Sequence, residues 1–283
     1  MATIKLENVN YIYNPDTNNA NHVLKDINLE ISTGDFVGIL GHTGSGKSTM
    51  IQLMNALEYA TDGTVYYNGE DVKSDNVNVR ELRCNVGLVF QNPENQLFEE
   101  NVLKDVCFGP KNQGLSEADA IEKAKDALEL VGIGPEYYAK SVFELSGGEK
   151  RRIAIAGVLA MEPEIIILDE PTAGLDPAGR DMILEQIDRL YKERDIGIVW
   201  VSHNMDIVAK YARRIVVMND GRVMLDSTPQ EVFANHAKIA EVGLVPPQIS
   251  VIMHRLKDAG MDVDTNITDV ESARDNILAA IKS

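Results

Sequence analysis

Cysteine is nearly absent: Cys84 and Cys107 are the only two in 283 residues. Their spacing is neither that of a metal site nor that of a disulfide framework, so they read as small buried hydrophobes in a chain suited to a reducing compartment. Positive charge is also scarce. Lys and Arg number 27 against 44 Asp and Glu, a formal net charge of -17. That balance disfavours nucleic acid as a partner, because phosphate contacts need a basic footprint. It equally disfavours a direct seat on an anionic lipid surface. No run approaches the roughly eighteen apolar residues of a membrane span. The opening Met1-Ala2-Thr3-Ile4-Lys5 has no secretory-signal character, and the expectation is a soluble chain.

What is present is a large apolar fraction, 44% of the chain, enough for a substantial core. The length suits one large α/β domain with something small attached. Ile4-Lys5-Leu6-Glu7-Asn8-Val9 and Val23 to Ile31 alternate apolar and polar residues and predict antiparallel strands. Between them lies a polar, Asn-rich turn from Asn14 to Asn21. Thr64 to Tyr67 predicts a further strand, with a turn at Asn68-Gly69. Continuous apolar runs at Phe36 to Leu40, Val86 to Phe90, Ile165 to Leu168 and Gly197 to Ser202 suit strands of a covered parallel sheet.

Residues 99 to 162 predict helices. Ile121, Ala124, Leu128 and Val131 share one face, with Ser116 as the cap. Ile183, Ile187, Leu190 and Tyr191 stripe the next helix, after Asp176-Pro177. Strands at Ile215 to Met218 and Arg222 to Leu225 are joined by an Asp220-Gly221 hairpin turn. The character changes near residue 236. Gly243-Leu244-Val245-Pro246-Pro247 reads as a linker, and Ile249, Ile252, Met253 and Leu256 form an apolar stripe beyond it. Thr268-Asp269-Val270-Glu271 reads as a capping box opening a last helix with Ala273, Ile277 and Ile281 on one face.

The segment Gly41-His42-Thr43-Gly44-Ser45-Gly46-Lys47-Ser48 fits the phosphate-loop pattern G-x-x-x-x-G-K-[ST], between a buried strand and the helical stretch Thr49 to Leu57. Gly41, Gly44 and Gly46 let the backbone turn its amides toward phosphate oxygens, and the helix start adds partial positive charge. Lys47 can reach the β- and γ-phosphates, and Ser48 can hold Mg²⁺. Asp169 and Glu170 end the run Ile165 to Leu168. Asp169 is suited to hold Mg²⁺ through water, and Glu170 to polarise an attacking water. His203 stands at the end of another predicted parallel strand, where open α/β sheets bind ligands, and is placed to sense a γ-phosphate. The plainer alternatives are a solvated acid pair and a surface histidine.

Taken with Leu145-Ser146-Gly147-Gly148-Glu149 and Ala173-Gly174-Leu175-Asp176, these motifs resemble the ATP-binding-cassette ATPases, in the family's order, over roughly residues 3 to 235. The resemblance implies an α/β fold. Its parts are a P-loop core with a mostly parallel sheet, an antiparallel β subdomain, an inserted helical subdomain and a small C-terminal helical extension. It implies ATP with Mg²⁺ as the nucleotide, and Lys47, Gln91, Glu170 and His203 as the catalytic set. The nucleotide contacts would be Tyr13, Gly41, His42, Thr43, Gly44, Ser45, Gly46, Lys47, Ser48 and Thr49. Ser146, Gly147, Gly148, Glu149 and Asp176 would reach the nucleotide of a second subunit. Ser48, Gln91 and Asp169 would attend the metal. Tyr13 would stack on adenine, with Tyr11 as the alternative. Glu149 stands where the family more often has Gln.

A narrower resemblance lies in Gln91-Asn92-Pro93-Glu94-Asn95-Gln96, supported by Val102 to Val106, Gly109-Pro110 and His203-Asn204-Met205-Asp206. It is to the ATPases of energy-coupling-factor importers, which take up vitamins and transition-metal ions. It implies a second ATPase, the same or a related chain, together with a transmembrane coupling protein and a small substrate-binding membrane protein. The chain would sit peripherally on the cytoplasmic face of the cell membrane. Residues 91 to 98 would border the groove for the coupling helix, with Asn92, Glu94, Asn95 and Gln96 as contacts. The expected division is 1–236 for the ATPase domain, with its helical subdomain at about 92–162, and 243–283 for a C-terminal dimerisation element. The extension packing on its own chain is the plainer reading. The alternative function is the ATPase of a conventional transporter with a multi-span permease. Repair ATPases carry a long coiled coil before the signature and translation factors join two cassettes in one chain, and neither feature occurs here.

Overall fold

The computed structural model describes residues 2–92 and 96–282. Pro93, Glu94 and Asn95 lie outside the described residues, so two of the four expected groove contacts are not placed. Among the described residues the strands form two sheets. In the smaller, β1 (Thr3–Tyr13) and β2 (Asn21–Ser32) pair antiparallel. Ile4 stands opposite Ile31, and Leu6 opposite Leu29, so one face of the alternating pattern is buried. After β3 (Phe36–Leu40), the chain adds β4 (Asp62–Tyr67) on the other edge of β1 and then β5 (Glu70–Asp71). Asn68 and Gly69 join β4 to β5 with φ of 52° and 83°, the left-handed pair that a tight hairpin turn requires.

The larger sheet has the order β10-β9-β3-β8-β7-β6. Its strands are β6 (Val86–Val89), β7 (Ile165–Asp169), β8 (Gly197–Val201), β9 (Arg214–Asn219) and β10 (Arg222–Ser227). β6, β7, β8, β3 and β9 run parallel, and β10 returns antiparallel through the Asp220-Gly221 turn. β3, β6, β7 and β8 are buried along their whole length, as their unbroken apolar runs predict.

Helices α1 (Lys47–Met54) and α2 (Val79–Asn85) follow β3 and β5. Then α3 (Val102–Asn112), α4 (Glu117–Leu130) and α5 (Gly147–Leu159) form the helical region between β6 and β7. Ser116 caps α4 as expected, accepting from the Asp119 amide. α6 (Pro177–Glu193) precedes β8, and α7 (Met205–Tyr211) follows it. Short helices α8 (Pro229–Ala234) and α9 (His236–Glu241) lead to α10 (Gln248–Asp258) and α11 (Val270–Lys282).

α5 starts at Gly147, with Ser146 as its cap. One local expectation shifts. At α11 the capping acceptor is Asp269, which takes the Ser272 amide at 2.8 Å, instead of Thr268. The carboxylate is the stronger acceptor there, so the cap falls one residue later. α10 and α11 share a small core of Met253, Val263 and Ala273 and leave Ile252, Val270, Leu278 and Ile281 exposed.

Candidate active site

Parallel neighbours deliver their carboxyl ends to one edge of a sheet, which is where α/β folds bind ligands. The loops after β3, β6 and β8, with the end of β7, therefore meet. They bring Gly41, His42, Thr43, Gly44, Gly46, Lys47, Ser48, Thr49, Gln91, Asp169, Glu170 and His203 around one cleft of about 750 Å³.

The phosphate loop needs its glycines. Gly46 caps α1 at φ 100°, and a Cβ there would come within 2.7 Å of Leu24 Cδ2. A Cβ at Gly41 would lie 2.5 Å from the Met218 carbonyl oxygen. Ser45 is fully buried beneath the loop. His42 bridges outward, with Nε2 at 3.1 Å from Asn219 Oδ1. Lys47 curls back and donates to the carbonyls of Gly41 at 2.7 Å and His42 at 3.0 Å. Burial pushes its ammonium below the usual range, against the pull of Glu170 and Asp169. A cation held by two carbonyls at the edge of the cleft is readily taken over by phosphate oxygens.

Ser48 Oγ donates to Asp169 Oδ2 at 3.3 Å. Burial, then the neighbouring Glu170, raises the Asp169 carboxyl, while the Ser48 bond and Lys47 oppose them. Glu170 has φ 50°, uncommon for a residue with a side chain, and its N–H donates to Val201 at 3.0 Å. Its side chain is only 10% exposed, and Oε1 lies 2.7 Å from Nδ1 of the largely exposed His203. Ser202 donates to Oε2 at 3.4 Å. A carboxylate oriented in this way can direct a water at a bound phosphoryl group. Tyr13 places its hydroxyl 3.2 Å from Thr49 Oγ1 beside the loop. Tyr11 is buried, and its hydroxyl is committed to Glu58 at 2.6 Å.

The other expected nucleotide contacts stand apart. Ser146, Gly147, Gly148 and Glu149 begin α5, Asp176 caps α6 through the Gly179 amide at 2.8 Å, and none of these lines the cleft of its own chain. Ser146 and Glu149 close a capping box in which the Ser146 hydroxyl and N–H both donate to Glu149 Oε2 at 2.7 Å. The Ser146 hydroxyl first, then that of Tyr137, holds the Glu149 carboxyl down to about 2.

Sequence reasoning missed several residues. Asn21, Val23, Met205 and Gly243 to Val245 also line the cleft. Arg151, buried in α5, donates to the Gln91 carbonyl. Asp105 is buried and accepts from the amides of Phe98 and Glu99, both at 2.9 Å. For Arg151 and Asp105 the available signal was a lone charge on the buried face of a helix. Gln96 turns inward, its amide bonding the backbone of Leu88 and Phe90.

This fold and site define a P-loop nucleoside triphosphatase of the cassette type. The family described as ABC transporter matches residues 24–173. The chain is 48% identical to the energy-coupling factor transporter ATP-binding protein EcfA2 of Caldanaerobacter subterraneus subsp. tengcongensis, over 99% of this chain and 98% of that one. The protein of the same name from Clostridium tetani is 48% identical over 98% and 96%. Among solved structures, cbiO1 of Clostridium perfringens, titled as part of the ABC transporter complex cbiONQ, is 39% identical. It superimposes with a TM-score of 0.72 over 90% of this chain and 98% of that one. A dimeric ATP-binding cassette, MJ0796, bound to ADP and Pi, is 29% identical, with a TM-score of 0.73 over 80% and 98%. The chain belongs to the ABC transporter family, among its energy-coupling factor ATP-binding proteins, and it is an ATP hydrolase.

Proposed function

We propose that two such ATPases, the same or related chains, close head to tail and hold each ATP between the phosphate loop of one and Ser146-Gly147-Gly148 of the other. The observation that carries this reading is the separation of the two halves. The amino end of α5 is a ready anion site, yet it lies away from the cleft of its own chain. Lys47 and the loop amides bind the β- and γ-phosphates. Glu170, held by His203 and Ser202, takes the proton of the attacking water. Ser48, Asp169 and Gln91 form an oxygen-only donor set that suits Mg²⁺ alongside phosphate oxygens. Bound there, Mg²⁺ would neutralise charge developing on the phosphates. Tyr13 supports the adenine.

The pair drives an importer for vitamins or transition-metal ions from the cytoplasmic face of the membrane, under a transmembrane coupling protein that also engages a small substrate binder. A groove of about 540 Å³ supports the docking part. It lies between α2, α3 and α5, next to the loop after β6. Phe98 and Phe108 line it edge to face at 4.7 Å, and both are substantially exposed. An exposed aromatic pair in an apolar groove suits the apolar face of a helix. Residues 1–236 form the ATPase domain, with its helical subdomain at about 92–162. The exposed apolar side chains of α10 and α11 favour 243–283 as the element that keeps the pair together when nucleotide leaves.

The test is to tag this chain, extract membranes gently and identify what co-purifies. A related ATPase, one compact coupling protein and small membrane binders are expected, and the binders name the cargo. A single large permease would transfer the chain to conventional transporters. No membrane protein would refute a transport role. Deleting 243–283 should weaken the nucleotide-free pair.

A further inference from the structure

A plain linker is the sequence expectation for Gly243 to Pro247. In the structure Gly243, Leu244 and Val245 line the same cleft as Lys47, Glu170 and His203. Leu244 is buried in the main core, and its N–H donates to Ile239 at 3.1 Å, so the segment is seated from behind. Val245 remains 73% exposed, a branched apolar side chain at the wall of a nucleotide cleft. The other end is tied as well. α10 begins after Pro247, which gives its first turn no side-chain cap. The Gln248 N–H instead donates to Asp206 Oδ1 at 3.2 Å. A carboxylate there also complements the positive end of the helix. Asp206 is the second residue of α7 and stands three positions after His203.

We propose that Gly243–Val245 is a wall of the ATP site at its His203 edge, anchored by Asp206, so that nucleotide binding and the seating of the α10–α11 pair are coupled. The inference rests on the ATP-site reading above. Coupling between two sites is reciprocal: a seated linker holds nucleotide better, and bound nucleotide holds the linker in place. The run His203-Asn204-Met205-Asp206 then has a physical reason to continue past the histidine. His203 serves the phosphate edge, and Asp206 fixes the segment that borders it. The wall acts on bound ATP as a whole, so its loss raises KM and leaves kcat near its parental value.

The experiment uses the complex purified through this chain. Asp206→Ala and Val245→Gly are expected to raise the KM for ATP about fivefold, the lower end of ordinary coupling, at nearly unchanged kcat. Asp206→Asn keeps an oxygen acceptor for the Gln248 N–H and should restore KM. Amide hydrogen exchange across residues 244–251 should slow when a non-hydrolysable ATP analogue binds, and not in Asp206→Ala. A fall in kcat at parental KM would overturn the proposal, because Asp206 would then act on His203 through α7. Exchange at 244–251 that ignores nucleotide would also overturn it, provided Lys47→Ala abolishes binding of the analogue. If Lys47→Ala binds the analogue normally, the ATP-site reading itself fails.

Discussion

Arg151, buried in α5, donates from Nη2 to the carbonyl oxygen of Gln91 at 2.6 Å. Gln91 lines the cleft of the phosphate loop, and the groove proposed for the membrane partner lies beside its loop. One charge-assisted bond thus ties the helical region to the loop between nucleotide and partner. Replacing Arg151 with Met should lower unfolding stability by about 2 kcal/mol, the scale of a buried charged hydrogen bond. It should leave the KM for ATP near normal while uncoupling hydrolysis from uptake. Denaturant midpoints and uptake per ATP check this, and tight coupling in the variant would show that the bond is not the transmitting contact.

Glu170 is placed by three contacts: its own amide on Val201, Ser202 on Oε2 and His203 on Oε1. Glu170→Gln keeps the shape and removes the base. Turnover should fall at least about a hundredfold with ATP still bound, the usual loss when a general base is removed. His203→Ala should act in the same direction and less strongly. Single-turnover hydrolysis measures both, and a parental rate in Glu170→Gln would remove the residue from the mechanism.

Glu149 predicts an acid limb in stability. Hydrogen bonds from Ser146 first, and then Tyr137, hold its carboxyl down from 4.5 to about 2. A carboxyl depressed in the folded state stabilises fully above its unfolded value of 4.5, and that stability is lost as pH falls through about 2. At this partly solvated site, screening reduces the contribution to about 1 kcal/mol. The Tm of Glu149→Gln should therefore fall less than that of the parent between these pH values. Parallel acid limbs would count against the Ser146–Glu149 bond in solution.

Gly46 turns the phosphate loop at φ 100°, with Leu24 Cδ2 and the Val23 carbonyl oxygen 2.7 and 3.1 Å from where a Cβ would stand. Gly46→Ala should cost about 1–3 kcal/mol in backbone strain, with the crowding in addition. It should also abolish ATP binding, because the loop amides lose their aim. Calorimetric titration with ATP and a thermal melt test the two parts separately.

Asp105 holds the amides of Phe98 and Glu99 on one oxygen, Oδ1. Burial pushes its carboxyl up, and those two amides oppose the shift. Asp105→Ala should free the Phe98 side of the groove. The expected result is weakened capture of the membrane partner at nearly unchanged basal hydrolysis. Asp105→Asn, which keeps the accepting oxygen, should rescue capture. Equal capture by both variants and the parent would mean that the loop needs no such latch.

Several features were readable in the chain because they are local. The glycine spacing from 41 to 46, the four-residue apolar run before Asp169 and the Ser116 cap all state their own conformation within a few residues. Period-two alternation marked β1 and β2 as antiparallel strands, and continuous apolar runs marked the buried parallel strands, while the register shifts between Leu6 and Ile12 emerged only from the fold. Asp169, Glu170 and His203 were identifiable because they lie at or just past the ends of parallel strands, which leave a common edge, and Lys47 because it closes the glycine loop after β3. The cap of α11 was misread by one residue because two adjacent acceptors competed for it.

Other features needed the assembled fold. Arg151 with Gln91 and Asp206 with Gln248 join segments whose separation in sequence implies nothing about contact. Each depends on how helices sit on the large sheet, which side-chain packing decides rather than local propensity. The same holds for Gly243–Val245, whose composition says linker and whose position makes it a wall of the cleft. The sequence by itself determined the chemistry, because each motif needs only its neighbours to form. Only the tertiary structure decided which distant groups restrain that chemistry, because a hydrogen bond across the fold exists only when both ends are already in place.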